Sequence, residues 1–383
     1  MQPLPIAPPL GLYIHLPWCE RKCPYCDFNS HEASVIPEMD YVDTLLRDLE
    51  SDLALARGRR VDTVFIGGGT PSLFSARAIA RLLAGIGSLL ELSPAREVTM
   101  EANPGSAEAD RFAGFRAAGI NRLSLGVQSF DAACLQALGR IHSSDQAAAA
   151  IEYARGAGFD SFNIDLMHGL PGQTLAGAEA DLRAALAWDP PHLSWYQLTI
   201  EPNTVFHKRP PSLPVEDELA DIQQRGEQLL ADAGYQQYEV SAYSRPGFQC
   251  RHNLNYWSFG DYLGIGAGAH GKVTGADGGV LRYAKKRQPG EYLAASPGRF
   301  TAAQHSVRPE DIVGEFMLNA LRLNAGFSRE LFTARTGLDV AVIDARLQQL
   351  QERGLLISDD RGVRASPLGR RFLDTVVSGF FPD

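Results

Sequence analysis

The sequence has 383 residues, of which 45% are hydrophobic and 21% are charged, so it predicts a globular chain and excludes a largely disordered one. A formal net charge of -9 disfavours a nucleic-acid partner, and no run approaches the roughly 20 apolar residues that span a bilayer. The length predicts more than one domain. Because the N-terminal residues lack a basic stretch followed by an apolar core, we expect no secretory signal and a cytoplasmic location.

Six short apolar runs alternate along the first 200 residues with segments whose apolar residues recur at helical spacing. The runs predict strands at residues 12–16, 61–66, 97–101, 122–125, 162–166 and 193–198. The segments predict helices at residues 41–55, 76–90, 107–118 and 176–188. This alternation indicates βαβ units and an α/β fold with a parallel sheet. A partial (β/α)6 barrel and an open doubly wound sheet both fit, and both place the chemistry at the carboxyl ends of the strands.

The later part of the chain is organised differently. Residues 201–300 contain one predicted helix, at about 216–233, and a stretch rich in Gly, Tyr and Arg. From about residue 308, three helical segments precede two short strands with a turn at 360–362, an order that suggests a winged-helix-like domain. We therefore expect a barrel in residues 1–210, a barrel extension in 211–300, and a C-terminal helical, winged-helix-like domain in 301–383.

Three of the five cysteines, Cys19, Cys23 and Cys26, lie within eight positions. Their C-x3-C-x2-C spacing can bring three thiolates to one [4Fe–4S] cluster and leave the fourth iron open. S-adenosylmethionine can chelate an open iron through its amino and carboxylate groups, and the protein then supplies the pocket. Two alternatives stay open: a glutaredoxin-type dithiol formed by Cys23 and Cys26, and a zinc site completed by His15.

Glycines and polar residues follow the predicted strands. A Gly-Gly-Gly-Thr run at 67–70 follows the second strand, and Glu101 ends the third. Gln128 follows the fourth strand, and Asp165 lies near the end of the fifth. With the cysteine spacing, this order makes the chain resemble the radical S-adenosylmethionine superfamily. Within it, the chain resembles the group that contains oxygen-independent coproporphyrinogen III dehydrogenase and the HemW-like haem chaperones.

The resemblance implies an S-adenosylmethionine pocket on this rim. The glycine motif and Glu101 are expected to meet the methionine amino group, and the guanidinium fork of Arg140 its carboxylate. Asp165 is expected to bind the ribose, because an acid in an apolar strand needs polar partners. The implied cofactor-binding residues are Tyr13, Tyr25, Gly68, Gly69, Thr70, Glu101, Gln128, Arg140, Asp165 and Thr199, and the implied metal ligands are Cys19, Cys23 and Cys26.

Position 28 separates the two kinds of protein in this group. The dehydrogenase carries a fourth cysteine there, whereas this chain has Phe28. The dehydrogenase also has an N-terminal arm, whereas only about ten residues precede the first predicted strand here. Both departures favour a haem chaperone over porphyrinogen decarboxylation. An H-N-x-x-Y-W run that begins at His252 fits the chaperones as well, and implies His252 as a haem ligand.

The chaperone resemblance also implies partners. These are haem as cargo, haem-accepting proteins such as membrane respiratory proteins, and an electron donor such as a flavodoxin or a ferredoxin. Two other functions stay open. One is a radical enzyme of porphyrin biosynthesis that oxidises or decarboxylates a porphyrinogen, and the other is a binding module whose cluster is only structural.

Overall fold

The computed structural model describes residues 7–106 and 109–382. In these ranges the strands, numbered in chain order, are β1 (Leu10–Leu16), β2 (Trp18–Cys19), β3 (His31–Glu32), β4 (Val61–Gly68), β5 (Leu92–Ala102), β6 (Arg122–Gln128), β7 (Ser161–His168), β8 (His192–Gln197), β9 (Gln236–Glu239), β10 (Ala242–Ser244), β11 (Asp261–Ile265), β12 (His270–Thr274), β13 (Val280–Lys285), β14 (Thr301–Ser306), β15 (Leu356–Asp359) and β16 (Gly362–Ala365). The start of the helix predicted at residue 107 lies outside the described residues.

The helices of the same ranges carry most of the connections between strands. They are α1 (Glu38–Ala56), α2 (Ala76–Leu89), α3 (Ala109–Ala118), α4 (Ala132–Ala137), α5 (Ser144–Gly156), α6 (Leu175–Ala187), α7 (Val205–Lys208), α8 (Glu216–Asp232), α9 (Arg251–Trp257), α10 (Pro289–Leu293), α11 (Ile312–Ala320), α12 (Arg329–Thr336), α13 (Ala341–Glu352), α14 (Pro367–Arg371) and α15 (Leu373–Ser378). None of the helices in the described ranges combines the length and the apolar character that a bilayer crossing requires.

Six neighbouring strands form the parallel part of a twelve-stranded sheet. They lie side by side in the order β1-β4-β5-β6-β7-β8, which is also their order along the chain. In a doubly wound sheet the strand order reverses at a switch point, whereas the order of these six strands does not reverse. The prediction of a partial (β/α)6 barrel is therefore confirmed, and helices cover the outer face of its strands.

Two additions at the sheet edges were not predicted. Strand β11 pairs parallel to β1, with Leu12 opposite Leu263, and so adds a seventh parallel strand. Antiparallel strands β12, β13 and β14 extend this edge, and β10 and β9 extend the other. The five residues of β11 include a glycine and lie far from β1 in sequence, so local periodicity gives little signal for the pairing.

The C-terminal region has its own apolar core. Helices α11, α12 and α13 precede the hairpin β15–β16, the order expected for a winged-helix-like domain. Phe316, Phe332 and Leu347 are among its buried side chains, and Phe327 pairs with Val363 to tie the hairpin to the helices. Residues 211–300 divide their packing between the cores. Most of their buried apolar side chains join the barrel core, while a few join the C-terminal core.

Helix α9 closes the amino-terminal end of the barrel. The Glu97 carboxylate, near the middle of β5, accepts hydrogen bonds from the backbone N–H groups of Arg251 and His252, both at 3.0 Å. It also accepts from the Cys250 thiol at 3.5 Å. Thr63 of β4 contacts the His252 ring at 2.8 Å. Interior polar groups of the barrel therefore cap this helix.

Removal of the Glu97 carboxylate should destabilise the protein. Glu97→Ala would leave two buried N–H groups unpaired, so we expect a loss of about 3 kcal/mol in the free energy of unfolding. Glu91→Ala is the matched control, because Glu91 is exposed and its side chain makes no hydrogen bond within the described ranges. Urea unfolding of both variants measures the difference. Equal midpoints for the two variants would contradict this capping role.

Candidate functional site

The three clustered cysteines lie on one loop at the carboxyl end of β1. Strand β2, which contains Cys19, pairs with β3, so the loop between them is closed at its base. The backbone N–H of Cys26 donates to the Cys23 carbonyl at 3.1 Å, which forms a tight turn between these two residues. All three thiols are free, and all three line one cleft. Three thiols on so short a loop suit three corners of a [4Fe–4S] cluster.

His15 anchors this loop and is not available as a zinc ligand. Its Nε2 donates to the Asn29 carbonyl at 2.8 Å, so its Nδ1 accepts the hydrogen bond of the Tyr13 hydroxyl at 2.9 Å. The Asn29 amide donates to the Ala267 carbonyl at 2.8 Å and ties the loop to the end of β11. Both ring nitrogens of His15 are occupied, so the zinc alternative is not supported.

The dithiol alternative fails on fold, because a glutaredoxin-type dithiol belongs to a much smaller fold than this barrel. A dithiol formed by Cys23 and Cys26 would also leave Cys19, which lines the same cleft, without a role.

The glycines at the end of β4 let the cluster loop lie directly on the barrel. A Cβ on Gly69 would lie 2.4 Å from the Trp18 carbonyl oxygen, and a Cβ on Gly68 would lie 2.8 Å from the His15 ring. The N–H of Thr70 donates to the same Trp18 carbonyl at 2.7 Å. Only residues without a side chain permit this approach, so the motif brings the backbone of β4 next to the cysteines.

Two partly buried carboxylates face the cleft from the barrel interior. Glu101 accepts a hydrogen bond from the Gly68 N–H at 3.1 Å, and Asp165 accepts from Ser124 at 3.0 Å and from Asn163 at 2.7 Å. Burial raises the pKa of Glu101 to about 8, and the nearby charge of Asp165 adds to this shift. Neither acid forms an ion pair within the described ranges, although the charge of Arg122 lowers the pKa of Asp165 in part. Glu101 therefore suits a ligand group that carries positive charge or donates N–H hydrogen bonds.

Arg140 provides the complementary charge on the same cleft. Its Nη2 donates to the Gly126 carbonyl at 2.6 Å, and its Nη1 lies 3.7 Å from the Cys23 sulfur. Its Nε is buried and has no hydrogen-bond partner among the described residues. The cleft therefore presents a carboxylate for an amino group and a guanidinium for a carboxylate, which fits the amino-acid end of S-adenosylmethionine.

Most of the residues singled out from the sequence meet at this one cleft, which has an empty volume of about 1000 Å³. Those that line it are Cys19, Cys23, Cys26, Tyr25, Gly68, Gly69, Thr70, Glu101, Gln128, Arg140 and Asp165. Tyr13 and Thr199 do not line it. Tyr13 lies deeper in the barrel, between His15 and Phe65. Thr199 is exposed beyond the end of β8.

His252 lies at the opposite end of the barrel. Its ring is 2% exposed and packs against Phe65 and Tyr256, with centroids 5.2 Å and 5.1 Å away. Burial lowers its pKa to about 3, so the ring is neutral. Its Nε2 has no hydrogen-bond partner among the described residues, but the flanking rings leave no room for a porphyrin. The prediction that His252 binds haem therefore needs correction. This residue belongs to helix α9, which closes the amino-terminal end of the barrel.

Several lining residues were missed from the sequence. Ser124 and Gly126 of β6 and Tyr196 of β8 line the same cleft, and Tyr196 donates a hydrogen bond to Gln128 at 2.9 Å. The alternation of side chains along a strand could have identified two of them. Ser124 and Gly126 share the parity of Gln128, and alternate residues of a strand face the same side.

The fold and the cleft together define a radical S-adenosylmethionine protein. Residues 13–185 match the Radical SAM superfamily, and residues 307–372 match the HemN C-terminal domain. The structure of coproporphyrinogen III oxidase (HemN) from Escherichia coli superposes with a TM-score of 0.82 at 24% identity, over 98% of this chain and 90% of that one. That likeness establishes the fold.

Full-length relatives establish the particular family. The chain is 52% identical to the haem chaperone HemW of Escherichia coli (strain K12), over 98% of this chain and 99% of the relative. It is 34% identical to HemW of Bacillus subtilis (strain 168), over 96% and 98% of the two chains. It is also 36% identical to radical S-adenosyl methionine domain-containing protein 1, mitochondrial, of Bos taurus, over 98% and 88%. The chain belongs to the HemW family.

A side chain at position 69 should prevent the cluster loop from seating. In Gly69→Ala the new Cβ meets a backbone oxygen that cannot move without breaking the Thr70 hydrogen bond. We expect this variant to lose most of its iron and sulfide after anaerobic reconstitution, measured by chemical analysis. Gly156→Ala is the control, because a Cβ there has nothing within 4 Å. Iron content equal to that of the wild type would contradict this account of the glycine motif.

Cofactor binding should release a proton from Glu101. At pH 7 a carboxyl with a pKa of about 8 is mostly protonated, and hydrogen bonds donated by the bound amino group lower that pKa. Affinity for S-adenosylmethionine should therefore rise between pH 6 and about pH 8. Calorimetry in buffers of different ionisation enthalpy should show about one proton fewer released by Glu101→Gln than by the wild type. Equal release by both would show that Glu101 does not meet the amino group.

Proposed function

We propose that this protein is a haem chaperone that binds haem and delivers it to haem-requiring proteins with the help of a [4Fe–4S] cluster and S-adenosylmethionine. The observation that carries the proposal is a full-length relative, 52% identical, that is named a haem chaperone. The cleft that the three cysteines line supports the part played by the cofactors, because three free cysteines, two carboxylates and two arginines meet there.

Each part of the cleft has a proposed task. Cys19, Cys23 and Cys26 would hold the cluster, which with S-adenosylmethionine supplies radical chemistry when both are bound. Glu101 would accept hydrogen bonds from the amino group, and Arg140 would hold the carboxylate. Tyr25, Gln128 and Asp165 would orient the nucleoside end and exclude water. These assignments rest on the charges and positions described above.

The remaining expectations join this proposal. We propose the division into residues 1–210, 211–300 and 301–383, with the first part carrying the cofactors. We also propose a cytoplasmic location, a flavodoxin or ferredoxin as electron donor, and haem acceptors that include membrane respiratory proteins. The net charge of -9 supports the absence of nucleic acid from the set of partners.

The second candidate function is oxidation of coproporphyrinogen III, because the fold matches HemN over nearly the whole chain. Phe28 argues against it. This side chain lies on the cleft and is 60% exposed, at the position where the dehydrogenase group carries a fourth cysteine. A phenyl ring can replace neither a thiolate as a metal ligand nor a thiol as a proton donor. The chaperone function is therefore the better supported of the two.

Two assays on one preparation should separate these functions. We expect reconstituted protein with S-adenosylmethionine and reductant to form no protoporphyrinogen IX from coproporphyrinogen III under anaerobic conditions. The same preparation should bind haem, measured as haem that coelutes with the protein and is quantified as its pyridine complex. Protoporphyrinogen IX that forms in the wild type and disappears in Cys19→Ala would establish the enzyme instead. A wild type that retains no haem would refute the chaperone.

A further inference from the structure

The last residue of β6 has a strained backbone. Gln128 has a φ of 69°, in the left-handed region that residues with a side chain rarely adopt. The pairing with β7 is irregular at the same point, because Gly126 lies opposite Asp165 whereas Gln128 lies opposite Leu166, so β6 has one extra residue there. Such a bulge changes the direction of a side chain. Of the non-glycine residues with positive φ in the described ranges, only Gln128 lines the cleft of the three cysteines, the cofactor cleft.

Two basic side chains hold the backbone that leads into this bulge. Nη2 of Arg140 donates to the Gly126 carbonyl at 2.6 Å, and Nε2 of His142 donates to the Val127 carbonyl at 3.0 Å. Burial lowers the pKa of His142 to about 4, so this ring is neutral at pH 7 and acts as a hydrogen-bond donor without adding charge. The two carbonyls directly before Gln128 are therefore fixed by side chains from the following loop.

A buried carboxylate fixes the residues directly after Gln128. Asp181 of α6 is 4% exposed and accepts hydrogen bonds from the Ser129 hydroxyl and from the backbone N–H of Phe130, both at 2.7 Å. A strained backbone conformation persists only where the surrounding structure imposes it, and such residues cluster at functional sites. Contacts on both sides of Gln128 impose it here, so the strain points to a function of the Gln128 side chain.

Tyr196 holds that side chain. It lies on β8, two strands away from β6 in the sheet, and its hydroxyl donates to Oε1 of Gln128 at 2.9 Å. Burial raises the pKa of Tyr196 well above its usual range, and the charge of Asp165 adds to this shift, so the hydroxyl keeps its proton. Because the amide oxygen is bound by this hydroxyl, the amide presents its N–H2 group to the cleft.

The amide nitrogen lies beside the guanidinium of Arg140. A Cβ built on Gly126 would lie 3.1 Å from Nε2 of Gln128 and 3.4 Å from Nη2 of Arg140, so both donors lie over the same glycine. Nε2 of Gln128 donates to no other side chain or carbonyl in the described part of the chain. A fixed donor without a partner on the wall of a cleft suits an oxygen atom of a ligand, such as a hydroxyl or a carboxylate.

We propose that Tyr196 is a positioning residue for S-adenosylmethionine: its hydroxyl holds the Gln128 amide so that the N–H2 group meets an oxygen atom of the ligand. The inference rests on the proposed function, in which this cleft binds the cofactor, and it adds a residue that acts through Gln128. Because the amide is already oriented in the free protein, binding does not have to order it, and less affinity is lost to conformational entropy.

Removal of one hydroxyl tests this role. Tyr196→Phe keeps the ring, and we expect it to raise the Kd for S-adenosylmethionine about tenfold. Calorimetry on anaerobically reconstituted protein without reductant measures this Kd, so that the ligand is not cleaved. Tyr153→Phe is the matched control, because the Tyr153 hydroxyl makes no hydrogen bond within the described ranges and Tyr153 does not line the cleft. Iron and sulfide content should equal that of the wild type in both variants.

A double-mutant cycle separates positioning from a general structural role. Gln128→Gly removes the amide, and glycine adopts a φ of 69° without strain. In this background Tyr196→Phe should leave the Kd unchanged, because no amide remains to be oriented. The inference is overturned if Tyr196→Phe alone binds as tightly as the wild type, if its loss persists in the Gln128→Gly background, or if it loses the cluster. A wild type that holds the cluster but binds no S-adenosylmethionine would instead overturn the proposed function.

Discussion

Two partly buried carboxylates that form no ion pair with any described residue constrain the interior of the barrel at its cofactor end. Burial raises the pKa of both Glu101 and Asp165, and the charge of Asp165 raises that of Glu101 further. Such an arrangement costs stability in the protein alone and is relieved by a ligand that brings positive charge. With Arg140 on the same cleft, the site favours a zwitterion over a purely anionic ligand. The glycine motif matters because it places the cysteine loop against this pair of charges.

A chain of hydrogen bonds connects Asp165 to the start of helix α9 at the other end of the barrel. Asn163 donates to Asp165 at 2.7 Å, and His192 donates to Asn163 at 2.7 Å. His192 is neutral, because burial lowers its pKa well below the usual range, so its second nitrogen accepts from Tyr238 at 2.8 Å. Tyr238 in turn accepts from the backbone N–H of Cys250 at 3.2 Å, directly before α9. Hydrogen bonds therefore connect Cys250, two residues before the H-N-x-x-Y-W segment, with Asp165 at the cofactor end of the barrel.

The sequence allowed the six parallel strands and their helices to be predicted, because periodicity and strand order are local properties. It also allowed the rim residues to be predicted, since the carboxyl ends of parallel strands meet at one edge. The sequence did not reveal how deep a side chain lies in the barrel or which distant segments contact one another. Tyr13 is on β1, but its side chain lies deeper in the barrel, beside Phe65 of β4, and does not line the cleft. The haem role of His252 is implied by the H-N-x-x-Y-W resemblance and by imidazole chemistry, whereas its burial depends on contacts with Thr63 and Glu97, which are more than 150 positions away.

The position of Tyr196 bears on the choice between a carrier and an enzyme. An enzyme that oxidises a porphyrinogen must bring its substrate into the same cleft as the cofactor, because the reacting atoms must approach one another closely. In this chain two arginines, Arg21 and Arg140, and two acids, Glu101 and Asp165, line the cofactor cleft, so it offers no excess of positive charge to a dianionic porphyrin. The Tyr196 hydroxyl donates to Gln128, which fixes the ring on the wall of this cleft. The balance of charges therefore suits the zwitterionic end of the cofactor better than a porphyrin with two carboxylates.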